Sequence, residues 1–256
     1  MNGAFEIAGV GLVSQQQALD AIASNIANIN TPGFKRSDVR FSEMLSRHAD
    51  AASPRGDLST SSALAGVGVT ILLALNEQGG IEPTARPLDL AIVGDGFIEL
   101  MGPRGQNLLW RGGTLSIQED GLLAGADGLA LRAMINVPET ATGLSIDSEG
   151  IVRATTGDGE APIELGRIAL VQIHDPSQVE RLDGGVYRLA EGARVEEFHQ
   201  GDARAGAFVQ GALERSNVEI NEEMVRLMIV QRAYAANAQL VQAADQMMAI
   251  ANGLRK

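Results

Sequence analysis

The sequence predicts a mixed α and β fold, in which long N- and C-terminal α-helices form a coiled-coil-like core and an antiparallel β domain is inserted between them. Apolar residues recur at helical spacing near both ends, and short β-prone runs separated by glycine-rich turns fill the middle. We therefore divide the chain into four segments: the N-terminal helix of an inner core domain (1–36), an extended connector or long hairpin (37–80), a β-rich domain (81–212) and the C-terminal helix of the inner core domain (213–256).

The first predicted helix is marked by apolar residues whose spacings are built from threes, fours and sevens, which places them in one stripe. They are Phe5, Leu12, Leu19, Ile22, Ile26 and Ile29. The pattern stops at residues 30–33, where Pro32 cannot continue the helical hydrogen bonding and Gly33 permits a left-handed turn. We therefore expect the helix to end there.

The C-terminal segment carries two apolar stripes side by side. The first contains Ile220, Met224, Leu227, Tyr234, Ala238, Val241 and Met248, and the second contains Val230, Ala233, Leu240, Ala244, Met247, Ala251 and Leu254. Ser216 or Asn217 can cap the start of this helix. Two adjacent stripes predict burial from two sides, as in a tube built from several helices.

The middle of the chain alternates short β-prone runs with turn signals. The runs cover residues 88–93, 97–101, 108–111, 150–154, 166–174 and 186–190. The turns include Gly94-Asp95-Gly96, Asp120-Gly121, Asp127-Gly128 and Asp183-Gly184-Gly185. Residues 42–48 could be helical, whereas residues 51–70, rich in Ala, Ser and Gly, predict an extended and adaptable connector.

Composition narrows the classes of function. The 256 residues carry a formal charge of −12, which argues against nucleic acid and anionic membranes as partners, and no window is long and apolar enough to insert into a membrane. The absence of cysteine excludes disulfides, thiolate zinc sites and cysteine nucleophiles. The first 13 residues lack the features of a cleavable signal peptide, so we expect none.

Catalysis finds no support in the residue pattern. His48, His174 and His199 are isolated from one another and from a nucleophile motif, so a metal or catalytic site is not expected. The glycines around Asp95 lack the Lys-Ser or Lys-Thr ending of a P-loop, and a β-hairpin explains them better. We expect a protein that is not an enzyme, with no cofactor and no metal.

Three motifs together resemble signatures of the flagellar rod and hook protein family. Residues 23–36 read ASNIANINTPGFKR and are similar to its N-terminal signature. Residues 216–218 (SNV), 222–224 (EEM) and 231–234 (QRAY) are similar to its C-terminal signature, and residues 89–97 (DLAIVGDGF) resemble the hairpin that opens its β domain. The resemblance therefore extends over nearly the whole chain. Two departures are Pro32 after Thr31 and residues 235–237 (AAN) where an acidic residue is common.

The resemblance implies a structural subunit of the bacterial flagellar basal-body rod, which self-assembles into a helical tube and transmits motor torque to the hook. Implied partners are further copies of the chain, other rod subunits, the hook protein and the surrounding ring proteins. The implied location is the periplasm-spanning rod, reached by flagellum-specific export without a cleavable signal peptide. The chain length and residues 33–36 and 41–45 favour the distal rod.

Other interpretations remain open at this point. A proximal rod subunit of similar length or a paralogue of the same family would share the motifs. A soluble β-rich binding module, dimerised through a coiled coil, would share the amphipathic ends. Filament formation by the purified chain would favour the rod, because only contacts between two different patches build an open helical assembly, whereas a stable dimer would favour the module.

The residues that we expect to mediate subunit assembly come from the terminal motifs. They are Asn25, Asn28, Thr31, Pro32, Gly33, Phe34, Asn217, Val218, Glu222, Gln231, Arg232, Tyr234, Leu240 and Met247. Asn25 and Asn28 lie one helical turn apart, so both amides could face one neighbour, although solvent-facing or capping roles would also explain them. Tyr234 could instead pack in a core, and Glu222, Glu223 and Arg226 are expected to form exposed intrahelical pairs.

Overall fold

A computed structural model describes residues 2–45, 65–157, 161–173, 175, 178–190, 195–198 and 206–253. The described residues form two α-helices at the ends of the chain and a β-rich domain, which confirms the predicted mixed fold. The chain divides into two compact units. Much of the predicted connector, residues 46–64, lies outside the described residues, as do His48, His174 and His199.

The first unit, which we call the helical unit, comprises Met1–Ile26, Ser37–Leu72 and Ile220–Lys256. Its helices are α1, Asn2–Ala27, and α2, Ile220–Gly253, and its strands are β1, Ser37–Leu45, and β2, Ala65–Leu73. The two strands pair with each other in a two-stranded sheet. Residues 42–45 belong to β1, so the helix considered for residues 42–48 is wrong there.

The two helices of this unit run in opposite directions where they touch. The Asn25 amide donates to the Glu223 carboxylate, and a Cβ placed on Gly11 would lie 3.2 Å from the amide nitrogen of Asn237. Contacts 14 residues apart on α1 thus fall 14 residues apart on α2, which is two heptads on each helix. This spacing is compatible with heptad pairing, and the coiled-coil core itself stays a prediction.

Within the described ranges, no helix combines the length and the apolar character that crossing a membrane requires.

The second unit, which we call the β-rich unit, comprises Ala27–Arg36 and Leu73–Glu219. The strands that follow β2 in chain order are β3 Ile81–Pro83, β4 Asp89–Val93, β5 Phe97–Met101, β6 Asn107–Trp110, β7 Gly112–Thr114, β8 Ser116–Ile117, β9 Leu123–Ala124, β10 Gly143–Ile146, β11 Ile151–Thr155, β12 Ile163–Arg167, β13 Leu170–Ile173, β14 Val179–Arg181, β15 Val186–Leu189, β16 Val195–Glu197, β17 Ala207–Gln210 and β18 Ala212–Glu214. The predicted boundary between segments at residue 36 stays a prediction of domain organisation.

The largest sheet of this unit has the strand order β14-β15-β6-β5-β13-β16, and every neighbouring pair is antiparallel. Three-stranded sheets are formed by β17-β4-β7 and by β10-β11-β12, and two-stranded sheets by β18-β3 and β8-β9. Antiparallel pairing throughout agrees with the predicted hairpins of the middle segment.

Both faces of the six-stranded sheet are buried, and the two-residue period of the strands separates them. Ile98 and Trp110, which are paired across β5 and β6, belong to the main apolar core. Phe97, Leu109 and Tyr187 point to the opposite face and form a second buried cluster. The ring edge of Tyr187 meets Phe97, with ring centroids 5.7 Å apart. This second face carries the site described next.

Candidate functional site

A group of charged side chains is buried in the β-rich unit, and we call Lys35, Arg111 and Glu214 the junction cluster. Lys35 lies just after the turn that follows α1, Arg111 joins β6 to β7, and Glu214 ends β18. The two oxygens of the Glu214 carboxylate lie 2.8 Å from the Lys35 ammonium and 2.8 Å from Nε of Arg111. All three side chains are about 1% exposed, so this is an ion cluster within the protein interior.

Backbone groups complete the hydrogen bonding of the junction cluster. The Gly79 amide donates to Glu214 over 2.9 Å, and the Lys35 ammonium donates to the Glu77 carbonyl over 2.6 Å. The Arg111 guanidinium donates to the carbonyls of Gly94 and Gly96. Two cations therefore share one carboxylate, and carbonyl oxygens satisfy the remaining donors.

The electrostatic surroundings shift two pKa values. Burial lowers the pKa of Lys35, the nearby charge of Arg111 lowers it further, and Glu214 opposes both effects. Burial raises the pKa of the Tyr187 hydroxyl well above its ordinary value. That hydroxyl accepts a hydrogen bond from the Lys35 amide and donates one to the Gly33 carbonyl. Tyr187 therefore remains a neutral donor that fixes the turn beside the cluster.

Asn217, one of the predicted assembly residues, lies beside the junction cluster and joins three backbone segments. Its side-chain oxygen accepts from the Arg36 amide over 2.7 Å, while its side-chain nitrogen donates to the carbonyls of Ala74 and Glu77. Its own backbone amide donates to the Phe34 carbonyl, so both the side chain and the backbone of Asn217 are used within the unit. The neighbouring Val218 is buried as well.

The predicted turn after α1 is present and is tied to the same region. The hydroxyl of Thr31 donates to the side-chain oxygen of Asn28, and Pro32 is exposed. Gly33 has φ +68°, which favours glycine, and its amide donates to the Glu214 carbonyl. Phe34 is 3% exposed and lies beneath the guanidinium of Arg181, 4.5 Å from the ring centroid.

In the helical unit, Asn25 is completely buried and uses its amide internally. It donates to the Ser37 carbonyl and to Glu223, and its oxygen accepts from the Ser37 amide. An effect of Asn25 on assembly would therefore act through the positions of β1 and α2. The expectation that Glu223 is exposed is wrong: Glu223 is 0% exposed, because it faces Asn25 where the helices meet.

The remaining predicted assembly residues lie on the surface of α2. They are Glu222, Gln231, Arg232, Tyr234, Leu240 and Met247. Leu240 and Met247 are 64% and 65% exposed, whereas Tyr234 is 39% exposed. The structure thus separates the predicted set into a group buried around Asn217 and the turn, and a group exposed along α2.

Sequence reasoning did not assign Arg111, Glu214 and Tyr187 to any site. No local pattern marks Arg111 or Glu214, because each is a single charged residue at the end of a short strand. Lys35 and Arg36 stand inside the quoted N-terminal motif, and this position was the one available signal. In the described part of the chain, no cluster of His, Cys, Asp and Glu has the composition of a metal site.

Three family models match the chain. They are described as "Flagella basal body rod protein" at residues 5–35, "Flagellar hook protein FlgE/F/G D1 domain" at residues 91–154 and "Flagellar basal body rod FlgEFG protein C-terminal" at residues 209–254. The first match includes α1 and the turn with Lys35, and the third includes Glu214, Asn217 and nearly all of α2.

Relatives of the same kind match over the full length. The flagellar basal-body rod protein FlgG of Borreliella burgdorferi is 31% identical, with 100% of both chains covered, and that of Caulobacter vibrioides is 30% identical, with 98% of this chain and 99% of the relative covered. The flagellar hook-basal body complex protein FlhP of Bacillus subtilis is 27% identical over 94% of each chain. The chain belongs to the family of flagellar basal-body rod proteins. The resemblance stated from the sequence is thereby confirmed.

Proposed function

We propose that this chain is a non-catalytic structural subunit of the distal part of the flagellar basal-body rod. Copies assemble through their terminal helices into a helical tube that transmits motor torque to the hook, and the chain reaches the rod by export without a cleavable signal peptide. Family membership and the full-length similarity to FlgG proteins support this proposal. Other rod subunits, the hook protein and the surrounding rings are the proposed neighbours.

The observation that carries the proposal is the exposed apolar surface of α2. Leu240, Met247 and Ile250 are each about 64% exposed. Residues 233–253 include a single charged residue, Asp245. A helix that faces water normally carries charged residues on its outer side, and exposed apolar area costs about 25 cal/mol per Å² relative to burial. Contact with other copies of the chain removes this surface from water.

The proposal predicts that charge on this surface blocks assembly without unfolding the subunit. In the variant Leu240→Glu/Met247→Glu, burying two carboxylates without partners is unfavourable, so we expect loss of polymers in sedimentation and electron microscopy. The matched control is Gln239→Glu/Gln246→Glu, which adds the same charge at exposed polar positions of the same helix. Fluorescence of Trp110, the single tryptophan, checks that the β-rich unit stays folded.

Two outcomes contradict the proposal. Polymers of unchanged geometry from the Leu240→Glu/Met247→Glu variant would show that this surface is not an assembly contact. A finite dimer of the unmodified chain at all concentrations would favour the binding module over the rod subunit. Restoration of motility in cells that lack their distal, but not their proximal, rod subunit tests the position along the rod and separates this chain from a paralogue.

A further inference from the structure

The chain passes between its two units at four positions along the sequence, after residues 26, 36, 72 and 219. Three short segments of the β-rich unit lie next to the last three of these positions, namely residues 33–36, 74–79 and 214–217. In a subunit that bears load, as the proposed function requires, force carried along the chain must pass through such segments. Their mutual attachment therefore matters for mechanics.

The three segments are attached to one another by two side chains. Glu214 bonds Lys35 of the first segment and the Gly79 amide of the second. Asn217 bonds the Arg36 amide of the first segment and the Ala74 carbonyl of the second. Each side chain belongs to the third segment, so each one connects all three.

Direct backbone contacts complete the attachment. The Ala74 amide donates to the Arg36 carbonyl over 2.9 Å, and the Gly33 amide donates to the Glu214 carbonyl over 2.8 Å. The Asn217 amide donates to the Phe34 carbonyl over 3.3 Å. Every pair among the three segments is thus joined by at least one hydrogen bond.

We propose that Glu214 and Asn217 are positioning residues that fix these three segments as one rigid junction, and that Glu214 does so through its charge. This inference rests on the proposed function for its mechanical meaning. Separation of the segments leaves the buried cations Lys35 and Arg111 without their shared anion, which is strongly unfavourable. The junction therefore resists partial opening more than neutral hydrogen bonds alone would.

The junction buries a trypsin site, which supplies a local test. Lys35 and Arg36 are 1% and 8% exposed, so the bonds that follow them are protected in the closed junction. In the full-length Glu214→Gln variant we expect cleavage after residues 35 and 36 to accelerate at least about tenfold, as expected for a local opening. Hydrogen exchange at the Gly33 and Ala74 amides should accelerate with it, while β5 and β6 stay protected.

Two further variants make the test specific to charge. Lys35→Met/Glu214→Gln removes one of the two unpaired cations, so its cleavage after Arg36 should be slower than in Glu214→Gln alone. Glu180→Gln removes an exposed carboxylate that pairs with Arg188 and should leave cleavage at residues 35 and 36 unchanged. A role of Glu214 in shape alone predicts instead that the double variant is opened further.

The mechanical part is tested on polymers. Polymers of Glu214→Gln subunits should still form but have a shorter persistence length in electron micrographs than polymers of the unmodified chain. Unchanged protection of residues 35 and 36, simultaneous loss of protection in β5 and β6, or polymers of unchanged stiffness would each overturn the positioning role. Failure of the unmodified chain to polymerise would overturn the mechanical part and the proposed function, whereas the protease result still decides whether the junction exists.

Discussion

Replacement of Asn25 by alanine should destabilise the helical unit selectively. The side chain is 0% exposed and takes part in three hydrogen bonds, of 3.0 Å to the Ser37 carbonyl, 2.9 Å from the Ser37 amide and 3.2 Å to Glu223. Alanine removes all three and leaves the backbone groups of Ser37 and one Glu223 oxygen with fewer partners in a buried position.

The size of the effect follows from the kinds of bonds lost. Each of the two bonds to Ser37 contributes about 0.5–1.5 kcal/mol, and the bond to the Glu223 carboxylate contributes about 1.5–3 kcal/mol. We expect the free energy of unfolding of the helical unit to fall by about 3–5 kcal/mol, since the contributions are not strictly additive. That loss is a large part of the 5–15 kcal/mol typical of a domain.

The two units can be followed separately in one denaturation experiment. Helix content, measured by far-ultraviolet circular dichroism, reports mainly on α1 and α2, and fluorescence of Trp110 reports on the β-rich unit. In Asn25→Ala the helix transition should move to lower urea while the Trp110 transition stays in place. Asn30→Ala, at an exposed position, is the control and should change stability by less than about 0.5 kcal/mol. A helix transition for Asn25→Ala within about 1 kcal/mol of the unmodified chain would refute the reasoning.

Two further predictions concern the β-rich unit. Burial alone would raise the pKa of Asp89, but hydrogen bonds from Thr84, Thr114 and Arg86 outweigh it and hold the pKa below its usual range. Asp89 therefore contributes stability above the unfolded pKa of about 3.9, and this contribution should be lost as pH falls further; urea titrations at several pH values should show a weaker acid dependence in Asp89→Asn, and an identical dependence would contradict the assignment. Gly150 has φ +85°, and an added Cβ would lie 2.3 Å from the Ile168 carbonyl oxygen, so Gly150→Ala should cost at least about 1–3 kcal/mol by thermal denaturation. Gly143→Ala, where no atom lies within 4 Å, is the control, and equal melting temperatures for the two variants would show that the strain is relieved.

Periodicity was sufficient to predict the elements that depend on local patterns. The helical spacing of residues 5–29 and 220–254 corresponds to α1 and α2, and the helix end before Pro32 follows from the missing amide of proline. The glycine turn at residues 94–96 lies between β4 and β5, as the turn signals indicated. The strands at residues 37–45 and 65–73 were less clear, because Ala, Ser and Gly in the surrounding segment weaken every local preference.

The apolar stripes of α2 were predicted as a repeat, but their exposure was not. A helix that is buried by other copies and a helix buried in its own fold share the same spacing, since both need one apolar face. Only the structure shows that Leu240 and Met247 are exposed while Ala18 and Ile22 of α1 are buried. The distinction between an internal core and an assembly surface therefore required three-dimensional information.

The charged residues show the limit of sequence reasoning most clearly. Glu223 was expected on a solvated helix face because charged side chains are rarely buried without a partner. Its partner Asn25 is 198 residues away in the chain, and the partner of Lys35, Glu214, is 179 residues away. A single sequence contains no local pattern that joins such positions. Both pairs connect the N-terminal motif with the C-terminal motif, one in each unit. The two motifs were interpreted as surfaces for neighbouring subunits, yet their buried polar residues bind each other within one chain. It follows that substitutions at Asn25 or Glu214 should alter the folded subunit before any contact with a neighbour, whereas substitutions at Leu240 or Met247 should alter only assembly.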